Sequence, residues 1–305
     1  MPAGPAAAFA VLSFIWGSTY LFIKVGLRYW PPFWFAAARN ALACVALLAF
    51  MLAVQRHLPR RWRDWWPPMV FALLNSASFA LIFWGQRYIP SAQSAVLVAA
   101  MPLFTLPLAW LWSREPVGRP QVAGVVLGFV GVLLAAGLRE GAGFAGPAHL
   151  RLWAQLGMLG AAFFYASSYV FSRRYFTTDT YSSTAIHLGM SGLYLGSLAA
   201  GVREAVGPQV MQLPALATLA YLSLVGSALA YWLMFYLVDH IGSVRASYVT
   251  LINPVVAVIL GVLILGEPLT AGMVAGASLV VGGAWMVNRR PAPVAARALQ
   301  AAKSP

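Results

Sequence analysis

Charge is scarce in this chain of 305 residues: Asp, Glu, Lys and Arg together make up 9%. Soluble domains carry about 25% charged residues, so a water-facing surface is excluded and the bilayer is the solvent. Acids are scarcest. The seven are Asp64, Glu115, Glu140, Asp179, Glu204, Asp239 and Glu267, and all fall at span ends or in loops. No helix centre therefore offers the buried carboxylate that a proton-coupled exporter of lipophilic cations uses. Cys44 is the only cysteine, which rules out an intrachain disulfide. No zinc, phosphate-loop or dinucleotide motif occurs, so neither metal nor cofactor is expected. A basic n-region is missing ahead of the first apolar stretch, which argues against a cleavable signal.

What fills the chain is apolar: 61% hydrophobic residues, with a mean hydropathy of +0.76. A membrane helix needs about 20 mostly apolar residues. Ten windows qualify: Ala6–Val25, Phe33–Val54, Trp65–Trp84, Ala92–Trp112, Pro120–Gly137, Leu152–Phe171, Ser182–Val202, Ala215–Val238, Ala246–Leu265 and Ala271–Val287. None alternates polar and apolar residues as barrel strands do, so the expected fold is all-α. The net charge of +13 suggests nucleic acid only until the basic residues are placed. They lie in short loops, as the positive-inside rule requires. With the N-terminus inside, thirteen fall on the inner side (Arg56, Arg60, Arg61, Arg63, Arg114, Arg119, Arg173, Arg174, Arg245, Arg289, Arg290, Arg297, Lys303). Six fall outside (Lys24, Arg28, Arg87, Arg139, Arg151, Arg203). An inner-membrane protein with both termini cytoplasmic is expected, with no nucleic-acid partner.

The spans form one unit written twice. Ile89, Ser91, Pro102, Leu111, Glu115, Pro116, Gly124 and Gly131 recur 152 positions later as Ile241, Ser243, Pro254, Leu263, Glu267, Pro268, Gly276 and Gly283. Near the start of each unit a shorter offset pairs Ser18, Tyr20, Phe22 and Lys24 with Ser167, Tyr169, Phe171 and Arg173. A unit of five spans inserts its second copy upside down, which is the inverted repeat of secondary transporters. The division is 6–137 for the first repeat, 138–151 for the connecting loop, 152–288 for the second repeat and 289–305 for a cytoplasmic tail.

Candidate functional residues follow the repeat. Trp16, Tyr20 and Lys24, and likewise Tyr165, Tyr169 and Arg173, are spaced i, i+4, i+8 and share one helix face. They form either an aromatic cavity wall with a cation at each mouth or helix packing with Lys and Arg reaching the headgroups. Thr19, Ser168, Asn40, Asn75, Ser78, Ser227, Tyr231, Tyr248 and Asn253 are polar within spans, and Phe79 matches Tyr231. Such groups face neighbouring helices or a wet cavity. Arg39, about two turns into its span, either receives a carboxylate or snorkels. His187 titrates or is structural. Pro102 and Pro254 bend their helices. Each Glu-Pro pair opens the following helix, where the dipole favours an acid and proline suits the first turn. Gly124/Gly128 and Gly272/Gly276 allow close helix approach. Gly189-Met190-Ser191-Gly192 matches the signature of intramembrane serine proteases, but no histidine on another span stands ready to activate Ser191. Small-residue packing explains that match, and an enzyme is not expected.

Two five-helix units with a polar-aromatic first helix, a mid-span proline, a Gly266-Glu267-Pro268 turn (Arg114-Glu115-Pro116 in the first half) and a Gly-rich last helix resemble the EamA type of the drug/metabolite transporter superfamily. Within it the chain is most similar to the YddG-type exporters of aromatic and other neutral amino acids. The resemblance implies ten helices around a central cavity, with the last helix of each half at the periphery. The expected function is export of amino acids or similar small metabolites by alternating access. The expected cavity residues are Trp16, Thr19, Tyr20, Arg39, Asn40, Asn75, Phe79, Tyr165, Ser168, Tyr169, Tyr231 and Asn253. An anionic metabolite held by Arg39, Lys24 and Arg173 is the alternative cargo. Arg114 in place of Gly266, and Met101 in place of Asn253, make the halves unequal.

Overall fold

A computed structural model describes residues 3–55, 58–59, 61–113, 117–136, 146–176, 180–241, 246 and 248–288. Its helices are α1 (Ala3–Gly26), α2 (Pro32–Ala53), α3 (Trp66–Gly85), α4 in two pieces (Ser91–Val98 and Met101–Ser113), α5 (Arg119–Ala136), α6 (Ala148–Tyr175), α7 (Thr180–Gly201), α8 in three consecutive stretches (Leu213–Ala220, Tyr221–Leu229, Ala230–Ile241), α9 (Val249–Leu265) and α10 (Ala271–Asn288). There is no strand among the described residues.

The ten elements do not span by the same composition. Among the described residues six helices are long and apolar enough to cross a bilayer, and α9 and α10 are shorter apolar helices. The hydropathy of α6 and α7 is lower because they carry more polar residues, and those of α7 turn largely to protein. On α7, Ser182, Ser183, Thr184, His187 and Ser191 are all buried. Helices that hydrogen-bond their neighbours tolerate such groups in a membrane: Ser191 donates to the Ala72 carbonyl of α3 at 3.2 Å, and Ser78 of α3 donates to the Ala161 carbonyl of α6 at 3.0 Å. The serine of the protease-like signature is thus fully buried and spent on a helix–helix bond.

Packing is across halves. α1 lies on α8 and α9, α6 on α3 and α4, α2 on α7 and α8, α3 on α7, and α5 on α10. Exchanging the halves maps this set of neighbours onto itself, so a pseudo-twofold axis passes where α2 meets α7 and α5 meets α10. The direction of the last pair fixes the kind of repeat. Gly124 faces Gly283, and Gly131 faces Gly276 and Val280, so α5 and α10 are antiparallel. An axis along the membrane normal would run them parallel, so the repeat is inverted.

The two loop acids that the structure describes at helix ends both cap helices of the first half. Glu204 accepts from the Phe33 and Trp34 amides at the start of α2, each at 3.0 Å. Glu267 accepts from the Ser91 and Ala92 amides at the start of α4, at 2.7 and 3.0 Å. This corrects the expectation that Glu267 opens its own helix. α10 begins at Ala271, with the Thr270 hydroxyl accepting from the Met273 amide. A left-handed turn at Gly266, φ 65°, sends the Glu267 side chain across to the other half instead. Gly261 gives it room, because a Cβ there would stand 2.6 Å from Glu267 Oε2. Glu115 lies outside the described residues.

Ser91 and Ala92 are fully buried, so Glu267→Ala leaves two amide donors unmet away from water. At about 1–3 kcal/mol for each unsatisfied donor, this variant is expected to melt well below the parent in detergent. Glu267→Gln, which keeps one acceptor oxygen, is expected to fall in between. Equal melting temperatures for all three would show that the cap contributes nothing.

Candidate functional site: a central cavity between the halves

α1 turns one face inward through Ala8, Leu12, Ile15, Thr19 and Ile23, a spacing of three to four residues that keeps a single helical stripe. Above that packing the helices part around a cavity of about 270 Å³. α1, α2, α3, α4, α6, α7, α8 and α9 all contribute to its wall, and no residue of α5 or α10 does. Both last helices pack chiefly on each other instead.

The wall obeys the sequence repeat. Asn75 pairs with Ser227, Phe79 with Tyr231, Val98 with Thr250, Ala99 with Leu251, Met101 with Asn253 and Pro102 with Pro254, each 152 positions apart, and all twelve line the cavity. Trp16 and Tyr165 add a pair from the first helices. Their rings meet the opposite half in the same way. Trp16 stands edge-on to Tyr231 at 6.5 Å, and Tyr165 stands edge-on to Phe79 at 6.0 Å. T-shaped contacts of this kind suit the ring quadrupoles. The two prolines act differently, however. α4 is interrupted at Ala99 and Ala100, just before Pro102, whereas Pro254 lies inside a continuous α9. The expected pair of bent helices is one broken helix and one unbroken one.

Arg39 is the charged group of the wall. It is 6% exposed, so it does not snorkel. Its Nε donates to Ser227 Oγ at 3.3 Å, and its guanidinium carbon stands 5.2 Å from the centre of the Phe79 ring. Tyr20, Tyr165 and Tyr231 are its electrostatic neighbours. Ser227 sits in the stretch Tyr221–Leu229, which is a π-helix, and donates to the Leu222 carbonyl five residues back at 3.0 Å. Such widened turns recur at functional sites. Here the widening presents Ser227 to Arg39, with Gly226 beside it.

Nine of the twelve expected residues line the cavity: Trp16, Thr19, Tyr20, Arg39, Asn75, Phe79, Tyr165, Tyr231 and Asn253. Three do not. Asn40 is fully buried next to Arg39 on the helix, so it points about 100° away, and its amide donates to the Ala36 carbonyl at 2.8 Å. Ser168 is 2% exposed and bonds the Tyr165 carbonyl at 2.8 Å. Tyr169 is 41% exposed on the outer surface. The reason lies in the cavity's shape. Beyond its symmetric middle it runs on past Ile23, Ile82 and Ala95, towards the end where α1 and α3 finish. Tyr20 lies on that side, and inversion carries its counterpart Tyr169 to the other.

Lys24 lies outside the wall. Its Nζ donates to the carbonyls of Gln86, at 2.5 Å, and Ile89, at 2.9 Å, in the turn between α3 and α4. It therefore ties α1 to that turn, in place of either the mouth of the cavity or the headgroups. The Arg173 side chain lies outside what the structure describes. His187 is buried edge-on between Phe71, at 5.0 Å, and Tyr231, at 6.1 Å. The wall also includes Ser227, which the sequence marks as polar within its span but which is not among the twelve expected residues, and Gly226, Thr250 and Leu188, which sequence reasoning left out. Ser227 had a signal in its match to Asn75, but the π-helix that presents it to Arg39 has no mark in the sequence.

An all-helical membrane bundle of two inverted halves around a central cavity is the architecture of a secondary transporter. The chain belongs to the EamA-like transporter family, whose sequence pattern matches residues 5–137 and again 152–289. It is a membrane transporter of the drug/metabolite type. It is 30% identical over 292 residues to the uncharacterized transporter YvbV of Bacillus subtilis, covering 93% of this chain and 92% of the relative. It is 29% identical over 281 residues to the uncharacterized inner membrane transporter YedA of Escherichia coli K12, covering 86% and 83%. A solved crystal structure shares the fold with a TM-score of 0.65 at 20% identity, over 98% of this chain and 100% of the other.

Proposed function

We propose that this chain exports aromatic and other neutral amino acids, or similar small metabolites, across the inner membrane by alternating access, in the manner of the YddG-type exporters. Both termini face the cytoplasm in this reading, as the loop charges require. The observation that carries it is a guanidinium set against aromatic rings in a cavity between inverted halves. Arg39 receives the carboxylate. Trp16, Tyr20, Phe79, Tyr165 and Tyr231 take the side chain, and Thr19, Asn75 and Asn253 offer hydroxyl and amide groups to the remaining polar atoms. No acid lines the cavity among the described residues, so efflux runs down the substrate gradient without obligatory proton coupling.

Uptake of labelled phenylalanine and leucine into proteoliposomes, with and without an imposed pH gradient, tests this. Trp16→Ala and Tyr231→Ala remove facing rings, and each is expected to lower the initial rate about ten-fold, the effect of one buried aromatic contact. Unchanged rates in both variants would remove the site assignment, and movement only with a proton gradient would overturn the uncoupled reading.

A further inference from the structure

Among the described residues the cavity wall holds one fixed charge and no acid to balance it. Arg39 is the only charged residue in the wall, and no Asp or Glu joins it among the described residues. Both helix-capping acids, Glu204 and Glu267, are held by backbone amides at helix starts. A guanidinium withdrawn from water and left without a counter-charge is costly. A bound monoanion removes that cost. A zwitterion also supplies a carboxylate, but it brings an ammonium that must give up its own hydration in a cavity already positive.

The geometry around Arg39 favours one kind of anion. Nε is occupied by Ser227, and the Phe79 ring lies against the guanidinium. What remains is the edge formed by the two terminal nitrogens, which have no hydrogen bond among the described residues. That edge matches the two oxygens of a carboxylate. For an ammonium the wall provides no opposite charge, only neutral groups: ring faces, hydroxyls such as those of Thr19 and Ser227, and the amides of Asn75 and Asn253, of which Asn253 Oδ1 is a buried acceptor without a partner among the described residues. Resting on the amino-acid reading above, we propose that the cavity recognises the carboxylate of its cargo and does not require the amino group. Small aromatic and apolar monocarboxylates are then substrates in their own right.

Three labelled probes with the same phenyl group separate the possibilities: phenylalanine, 3-phenylpropionate, which has the carboxylate alone, and 2-phenylethylamine, which has the amine alone. Initial uptake is measured in proteoliposomes of the full chain at pH 8, above protein-free vesicles, so that the neutral acid does not leak. The expected result is 3-phenylpropionate uptake at or above that of phenylalanine, with the amine at background. Arg39→Gln should lower both carboxylates more than ten-fold. Should that variant fail to fold, Ser227→Ala removes the acceptor that orients Nε and is expected to raise KM for both carboxylates several-fold. Uptake of phenylalanine with 3-phenylpropionate at background overturns this inference and leaves the amino-acid reading standing. Uptake of the amine, or of none of the three, overturns both. Full 3-phenylpropionate uptake by a folded Arg39→Gln protein overturns the assignment of Arg39 as the receptor.

Discussion

Arg39→Lys is expected to lose at least ten-fold in transport although it keeps the positive charge. Three things that Arg39 does depend on the guanidinium plane. Nε reaches Ser227, the guanidinium carbon stands over the Phe79 ring, and the two terminal nitrogens are left as a pair of donors. A lysine ammonium is a compact point charge with no plane to stack and no fork. A hydrogen bond to a charged group contributes about 1.5–3 kcal/mol, and about 1.4 kcal/mol is a factor of ten in affinity. Losing one of the two carboxylate bonds is therefore enough for the expected drop. It should fall on KM, because the bond is made in the bound state before any conformational step. Substrate dependence of the initial rate in proteoliposomes separates KM from the maximal rate. If Arg39→Lys transports like the parent, the guanidinium geometry is irrelevant and Arg39 acts only as a charge.

Much of the fold was legible because a bilayer narrows the choices. Apolar runs of about 20 residues can only be helices there, and an odd number of them in a repeat can only be inverted. The offset of 152 read from Ile89, Pro102 and Glu115 is also the offset that relates the two sides of the cavity wall, from Asn75 with Ser227 to Pro102 with Pro254. The failures have a common origin, which is that a repeat states equivalence and a single conformation does not keep it. Tyr20 and Tyr169 match in sequence, yet one lines the cavity and the other is 41% exposed. Lys24 has the spacing of a mouth residue, but its ammonium finds two carbonyls in a nearby turn. Glu267 precedes a proline, a pattern that marks a helix start, yet the turn at Gly266 carries it to a helix distant in sequence. In each case the partner is set by tertiary packing. The π-helical stretch of α8 is a further example, since its residues differ in no obvious way from those of an ordinary helix.

The last helices of the two halves offer a test that concerns the fold and spares the cavity, because neither lines it. Gly282 and Gly283 are neighbours on α10 with opposite surroundings. A Cβ added at Gly282 meets nothing within 4 Å. One added at Gly283 runs into backbone of α5: the Gly124 carbonyl oxygen, then the Gly128 nitrogen at 2.7 Å and its Cα at 2.9 Å. No rotamer change relieves such a contact, because the obstructing atoms belong to a helix backbone, and α5 and α10 must move apart along their length. Overpacking of this kind costs about 1–3 kcal/mol and occasionally more. Close backbone approach is also what holds helices together in lipid, where no hydrophobic force does so. Gly283→Ala is therefore expected to melt far below the parent in detergent or to fail to give monodisperse protein. Gly282→Ala should match the parent in melting temperature and in transport. The pair differs by one position and by the same added methyl group, so helix propensity and hydrophobicity cancel between them. Equal stability would mean that α5 and α10 are not pressed together at Gly124 and Gly283, and the antiparallel contact that fixes the repeat as inverted would lose its support.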